Sequence, residues 1–232
     1  MIGFAHNQAD AFWQLAMDEY LLETQFRYGA LRTYQWDSQS VTFGYNLSYQ
    51  TVVNQLGCTA ESPVRRLTAG GLVNHKNDYT FSVVIPNKDP FYKLTARQTY
   101  QKLHGFIQEI LTSFGVRTIL YPCSPCGAPR SSQRLVNFCF KNPVPFDLVL
   151  EGSCFQKVLG SAQKRTRKAL LFQGTIDKKA LPEVNWDRFE KLLFQKFSQK
   201  FLINPSLQPL PCEEILKTYL EKYHSSHWNQ KR

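Results

Sequence analysis

Three strand-like runs crowd into one short stretch of the chain: "FDLVLEG" (146–152), "QKVLGSAQKR" (156–165) and "KALLFQGTI" (168–176). Only two or three residues separate them, whereas a parallel crossover needs a dozen or more. They must therefore pair antiparallel, and this fixes one half of a sheet. Upstream, "LRTYQW" (31–36), "SVTFGY" (40–45), "SPVRRL" (62–67), "DYTFSVVIP" (78–86) and "VRTIL" (116–120) also read as strands, with Asp37-Ser38 as the turn between the first two. Apolar residues recur at helical spacing over 9–27 and 95–114, the latter with Thr95 as N-cap and Gly115 just past its end. A short helix is expected over 51–57, ending at Gly57, and two further helices over 185–201 and 211–228. Strands in runs with separate helices predict an α+β fold, a mixed and largely antiparallel sheet flanked by helices. The expected division is a main unit over 1–180 with a C-terminal helical extension, 181–232, packed on the same domain.

Composition narrows the class. The chain has 232 residues, is 43% apolar and has no low-complexity run, so a folded core is expected and disorder is not. No apolar stretch approaches a membrane span, and the first 20 residues lack the charge and apolar run of a secretory signal. Six scattered cysteines do not form a disulfide framework, which points to a reducing cytoplasm. The one CxxC, Cys123–Cys126, has no second ligand pair at zinc spacing, so no metal is expected. Net charge is +10 and uneven: residues 1–92 carry 6 Lys/Arg against 8 Asp/Glu, residues 93–232 carry 22 against 10. A basic half suits an acidic partner.

Three motifs carry chemistry. In "VRRLTAGGLVNH" (64–75), Gly70-Gly71 permits a bare turn whose N–H groups can form an anion nest. Arg65 and Arg66 cannot share one side of a strand, so one is expected inward or at a ligand and the other toward solvent or a partner. In "QKVLGSAQKRTR" (156–167), Lys157 precedes the small residues Gly160, Ser161 and Ala162, which leave room for a ligand beside an ammonium. In "NFCFKNP" (137–143), Cys139 lies between two aromatics, either as a core hydrophobe or as an acyl-accepting thiolate. His75 is a binding candidate rather than a base.

Together these stretches resemble the lipoate–protein ligase and octanoyltransferase family, whose catalytic domain is related to that of biotin–protein ligases. The first family signature matches Arg65-Arg66-Leu67-Thr68-Ala69-Gly70-Gly71-Leu72-Val73-Asn74-His75, the second Lys157-Val158-Leu159-Gly160-Ser161-Ala162-Gln163, and a later strand ends in Gln173-Gly174-Thr175-Ile176. "MDEYLLE" (17–23) and "SVTFGYN" (40–46) fit the family's first helix and second strand, so the order holds from about residue 17 to 176. Ala69 replaces a usual glycine, and Leu47 stands where glutamine is common.

The resemblance implies an apolar tunnel for an octanoyl or lipoyl chain beside the glycine turn. Arg65, Arg66, Thr68, Gly70, Gly71, Leu72, His75, Gly160, Ser161 and Ala162 would bind substrate, and Lys157 would meet the acyl carbonyl or an activated phosphate. The product would be an amide on a lysine of a lipoyl domain, in a 2-oxoacid dehydrogenase complex or the glycine cleavage H protein. No tightly bound cofactor is implied. About 55 residues follow the last signature, little room for an accessory domain. With Cys139 in a Cys-Phe setting, this favours transfer from acyl carrier protein through a Cys139 thioester activated by Lys157. The alternative is an ATP- and Mg-dependent ligase working through an acyl-adenylate, and a remoter one is a non-catalytic lipoyl-domain binder. A nucleic-acid module would need an exposed basic face interleaved with aromatics; the run 163–168 instead overlaps the second signature, so neither nucleic acid nor a membrane is an expected partner.

Overall fold

A computed structural model of the chain describes residues 2–24, 29–37, 40–57, 62–122, 140, 142–152, 155–201 and 204–231, with backbone alone at 2, 5, 6 and 204–207. The chain opens with β1 (Ile2–Ala9) and α1 (Ala11–Glu23), where the Asp10 carboxylate caps the helix by accepting from the Trp13 N–H at 2.8 Å. Next come β2 (Ala30–Trp36), β3 (Val41–Phe43), α2 (Tyr49–Leu56), β4 (Val64–Arg65), β5 (Leu72–Asn74) and β6 (Asp78–Pro86). Helix α3 (Ala96–Thr112) starts with a full capping box between Thr95 and Gln98 and is followed by Gly115 at φ +79°. The order closes with β7 (Thr118–Leu120), β8 (Leu148–Leu150), β9 (Lys157–Arg165), β10 (Ala169–Asp177), α4 (Trp186–Phe201), β11 (Asn204–Gln208), α5 (Glu213–His224) and α6 (Ser226–Asn229).

Eight strands form one sheet in the order β11-β1-β2-β6-β10-β9-β8-β7, and three form a small sheet, β4-β3-β5. The β7 to β10 pairings and those of β2 and β10 with β6 are antiparallel; β11–β1, β1–β2 and β3–β4 are parallel. The expected α+β class and largely antiparallel sheet are what the chain forms. One sheet face is covered by α3 and α4 through Leu103, Ile107, Phe189, Leu193 and Phe197, packed on Phe81, Phe172 and Leu159. The other carries α1 and α5, with Met17, Leu21 and Leu216 on Val84 and Leu171.

The structure differs from the sequence reading in four places. Strand β1 has few β-branched residues; it exists because β2 and β11 pair on both its sides. Strand β11 includes Pro205, which an edge position tolerates, so the C-terminal stretch supplies a strand as well as helices. The runs 31–36 and 40–45 do not pair with each other: β2 belongs to the large sheet and β3 to the small one. The last helix divides at Ser225, whose hydroxyl accepts from the Trp228 N–H and starts α6.

Candidate functional site

Register across the large sheet builds one wall. Tyr34 on β2 faces Thr80 on β6, which faces Thr175 on β10, which faces Gly160 on β9. The next row pairs Gln173 with Ala162. These residues share a sheet face because paired positions point the same way. Opposite them stand Arg66, the turn at Gly70-Gly71, and Val73 and His75 from the edge of the small sheet. Between the two lies a cleft enclosing about 410 Å³, open solvent at its mouth included.

Two close approaches make the turn. Gly70 has φ +100°, a conformation that disfavours any side chain, and it lies against Ala162 of the second signature. A Cβ on Gly44 would collide with the Gly70 carbonyl, so "TFGY" requires its glycine for the turn to seat on β3. Ala69 has no positive φ, which explains why alanine replaces the usual glycine there. The Arg66 guanidinium holds the turn from inside, donating to the carbonyls of Ala69 at 3.3 Å and Gly71 at 2.9 Å and to Thr42 Oγ1 at 2.7 Å. With the carbonyls drawn toward Arg66, the Gly70 and Gly71 N–H groups find no acceptor among the described residues. Unpaired amides beside a cleft are donors for a carbonyl or phosphate oxygen.

His75 stacks on Trp36 with 3.8 Å between ring centroids. Its Nδ1 lies 2.6 Å from Asp78 Oδ2 and its Nε2 2.7 Å from Thr42 Oγ1. Because Thr42 accepts from Arg66, its own proton goes to Nε2, and Nδ1 donates to Asp78. Burial pulls the His75 pKa below its ordinary 6.5, against the opposing pull of Asp78, so the ring is neutral and both nitrogens are engaged.

The expected site residues fall into three groups. Arg66, Gly70, Gly71, His75, Gly160, Ser161 and Ala162 meet at the cleft. Four others stand elsewhere. Arg65 is buried, not solvent-facing, and donates to the carbonyls of Tyr45, Leu47, Trp228 and Asn229, which ties α6 to the small sheet. Thr68 sits behind the wall, donating to Gln173 Oε1 at 2.6 Å, and Leu72 is core of the small sheet. Lys157 does not border the cleft: its ammonium lies 2.7 Å from Asp147 Oδ2, with the two side chains 5% and 1% exposed. The glycine turn itself lies against Ala162, on the same strand as Lys157. Burial raises the Asp147 carboxyl, and Lys157 opposes the rise. Cys139, like Cys123 and Cys126, lies outside the described residues.

Several residues escaped sequence reasoning. Tyr34, Trp36, Thr80, Gln173 and Thr175 line the cleft; the last two lay in a quoted motif without being assigned to the site. His104 falls within the helical run 95–114, where nothing in the sequence singles it out. It is fully buried, with Nδ1 2.6 Å from the Phe146 carbonyl and Nε2 2.6 Å from Ser161 Oγ. Burial, only partly offset by the Phe146 bond, lowers its pKa to about 4. Nothing in local sequence marks a helix histidine as the partner of a strand serine 57 residues away.

A mixed sheet with a glycine turn over an apolar cleft defines an α+β domain with one candidate small-ligand site among the described residues. More specifically, residues 10–201 match the lipoyl protein ligase A/B catalytic domain, and the chain belongs to that family. Octanoyltransferase LipM of Staphylococcus aureus (strain NCTC 8325 / PS 47) is 29% identical over 173 residues, 72% of this chain and 62% of that protein. The same-named protein of Oceanobacillus iheyensis is 30% identical over 186 residues, 78% of this chain and 65% of that one. The chain thus spans less than two thirds of the length of these relatives. A crystal structure of lipoate-protein ligase A bound with ATP superposes with a TM-score of 0.73 at 19% identity, over 99% of this chain and 98% of that one, a likeness of fold.

Proposed function

We propose that this chain transfers an octanoyl or lipoyl group to a lysine of a lipoyl domain, with octanoyl carried on acyl carrier protein as the donor. The observation that carries the proposal is the convergence of the Gly70-Gly71 turn and the Gly160–Ala162 segment on one cleft with two unengaged amides. The similarity to proteins named octanoyltransferase supports the acyl group and the reaction class.

In this proposal the cleft takes the acyl chain and the turn amides stabilise the tetrahedral oxyanion. The Cys139 thiolate attacks the thioester carbonyl, the carrier leaves as its thiol, and an acyl-Cys139 thioester forms. The acceptor amine then attacks this carbonyl, loses a proton and displaces the sulfur, leaving an amide. Lys157 supplies positive charge favouring the thiolate. His75 is not the base, because both its nitrogens are occupied.

The test is amide formation on a purified lipoyl domain, once with octanoyl-acyl carrier protein and once with octanoate, ATP and Mg. Carrier-dependent transfer is expected, reduced by orders of magnitude in Cys139→Ser. Transfer that requires ATP and survives Cys139→Ser would establish the adenylating alternative. No transfer by either route, with the lipoyl domain still bound, would establish the non-catalytic one.

A further inference from the structure

The cleft is walled by polar residue types whose polar atoms are engaged elsewhere. Two buried carboxylates behind the wall collect them. Asp78 Oδ2 accepts from Thr175 Oγ1 at 2.5 Å, His75 Nδ1 at 2.6 Å and Thr80 Oγ1 at 3.2 Å. Asp18 Oδ2 accepts from Gln173 Nε2 at 2.6 Å and the Tyr34 hydroxyl at 3.0 Å. The Trp36 indole N–H is taken by Thr80 Oγ1 at 2.8 Å. Neither aspartate borders the cleft; they are 1% and 7% exposed.

We infer that Asp18 and Asp78 are the specificity-determining residues of this cleft: by holding the polar atoms of its wall, they make it take an unsubstituted alkyl chain and turn away one that carries a hydroxyl along its length. The residues in question are not apolar, so the selectivity does not come from their identity. It comes from where their hydroxyls, amide and ring nitrogens are directed. With those groups committed, the two threonines and the tyrosine offer a ligand mainly carbon. A hydroxyl brought from water against this wall would lose its hydrogen bonds and find no partner in the wall, which in an apolar pocket weakens binding by about a hundredfold. Asparagine at 78 would carry one acceptor oxygen and two donor hydrogens in place of a carboxylate. All three present donors meet one oxygen, Oδ2, so the neutral amide oxygen would hold them more weakly than the carboxylate does and leave them readier to turn to a ligand hydroxyl.

The biological meaning, selection of saturated acyl groups over hydroxylated ones, rests on the proposed acyl transfer; the selectivity itself can be measured without it. The full chain is titrated calorimetrically with 1-octanol, 1,8-octanediol and octanoate, as wild type and as Asp78→Asn. One hydroxyl of either alcohol can stay at the mouth, but the diol must bury its second. Wild type is expected to bind octanol about a hundredfold more tightly than the diol, and Asp78→Asn to reduce that ratio to about tenfold or less. Wild-type ratios within about threefold, or no binding of octanol, would overturn the inference. An unchanged ratio in folded Asp78→Asn would overturn the role of Asp78. Should that variant not fold, Asp18→Asn, which holds Tyr34 and Gln173 more weakly by the same logic, is held to the same ratio. Octanol selectivity without octanoate binding would leave the inference standing and defeat the acyl-transfer proposal instead.

Discussion

Replacing Arg65 by lysine separates two roles that one residue cannot fill at once. The guanidinium is 1% exposed and satisfies four backbone carbonyls, those of Tyr45 and Leu47 at 2.7 and 2.8 Å and those of Trp228 and Asn229 at 3.0 to 3.3 Å. It also faces the Phe43 ring, 4.7 Å from its centroid. Lysine keeps the charge but has three donors on a single nitrogen, and it cannot span carbonyls on two sides of a planar fork. Each hydrogen bond to a charged group contributes roughly 1.5–3 kcal/mol, and each carbonyl left buried and unpaired costs about 1–3 kcal/mol. Allowing lysine to recover about half, the loss is about 4 kcal/mol, near the ceiling for one substitution. In a chain of 232 residues that lowers the melting temperature by about 8–16 °C. The reporter is built in: Trp228 is buried, and its indole N–H donates to the Arg65 carbonyl at 2.9 Å. Release of α6 would therefore appear as a red shift in tryptophan emission. Binding of octanoate by the protein that stays folded should change by less than threefold. A melting temperature within about 2 °C of wild type, together with octanoate binding weakened tenfold or more, would refute this assignment and return Arg65 to the ligand.

Other outcomes follow from the same geometry. His104 titrates near 4 when folded and near 6.5 when unfolded, so its contribution is complete above pH 6.5 and is lost as pH falls toward 4. At about 1.4 kcal/mol per tenfold change in proton affinity, the loss is about 3 kcal/mol. His104→Gln should remove that part of the pH dependence of urea midpoints, leaving the loss of the same sign from His75. Asp147→Asn leaves the Lys157 ammonium buried without its carboxylate and should cost about 3 kcal/mol, measured by urea unfolding at pH 7. Gly44→Ala drives a methyl into the Gly70 carbonyl; octanoate binding by calorimetry should fall at least about tenfold, and unchanged affinity would show that the turn does not form the site.

The antiparallel half of the large sheet was legible because short gaps between strands leave no other pairing. Helix α3 was legible because Thr95, Gln98 and Gly115 are local signals with local causes. Strand β1 was not, since nothing in "IGFAHNQA" favours extended backbone as strongly as two neighbours offering a ladder. At the site, glycines announced themselves, because the need for a bare backbone shows in residue type. The arginines did not divide as alternation alone suggested. Arg66 supports the turn, and Arg65 went to a C-terminal segment more than 160 residues away.

By itself, the order of residues determined the family, the α+β class and the two glycine-bearing segments that form the cleft, since each depends on spacing or on local backbone freedom. Tertiary structure alone decided that Lys157 pairs with Asp147, that Arg65 is a clamp, and that the wall's hydroxyls turn back onto Asp18 and Asp78. The physical reason is that a buried charge or hydroxyl must find a partner. In a folded chain that partner is chosen by proximity in space, between residues the sequence holds far apart.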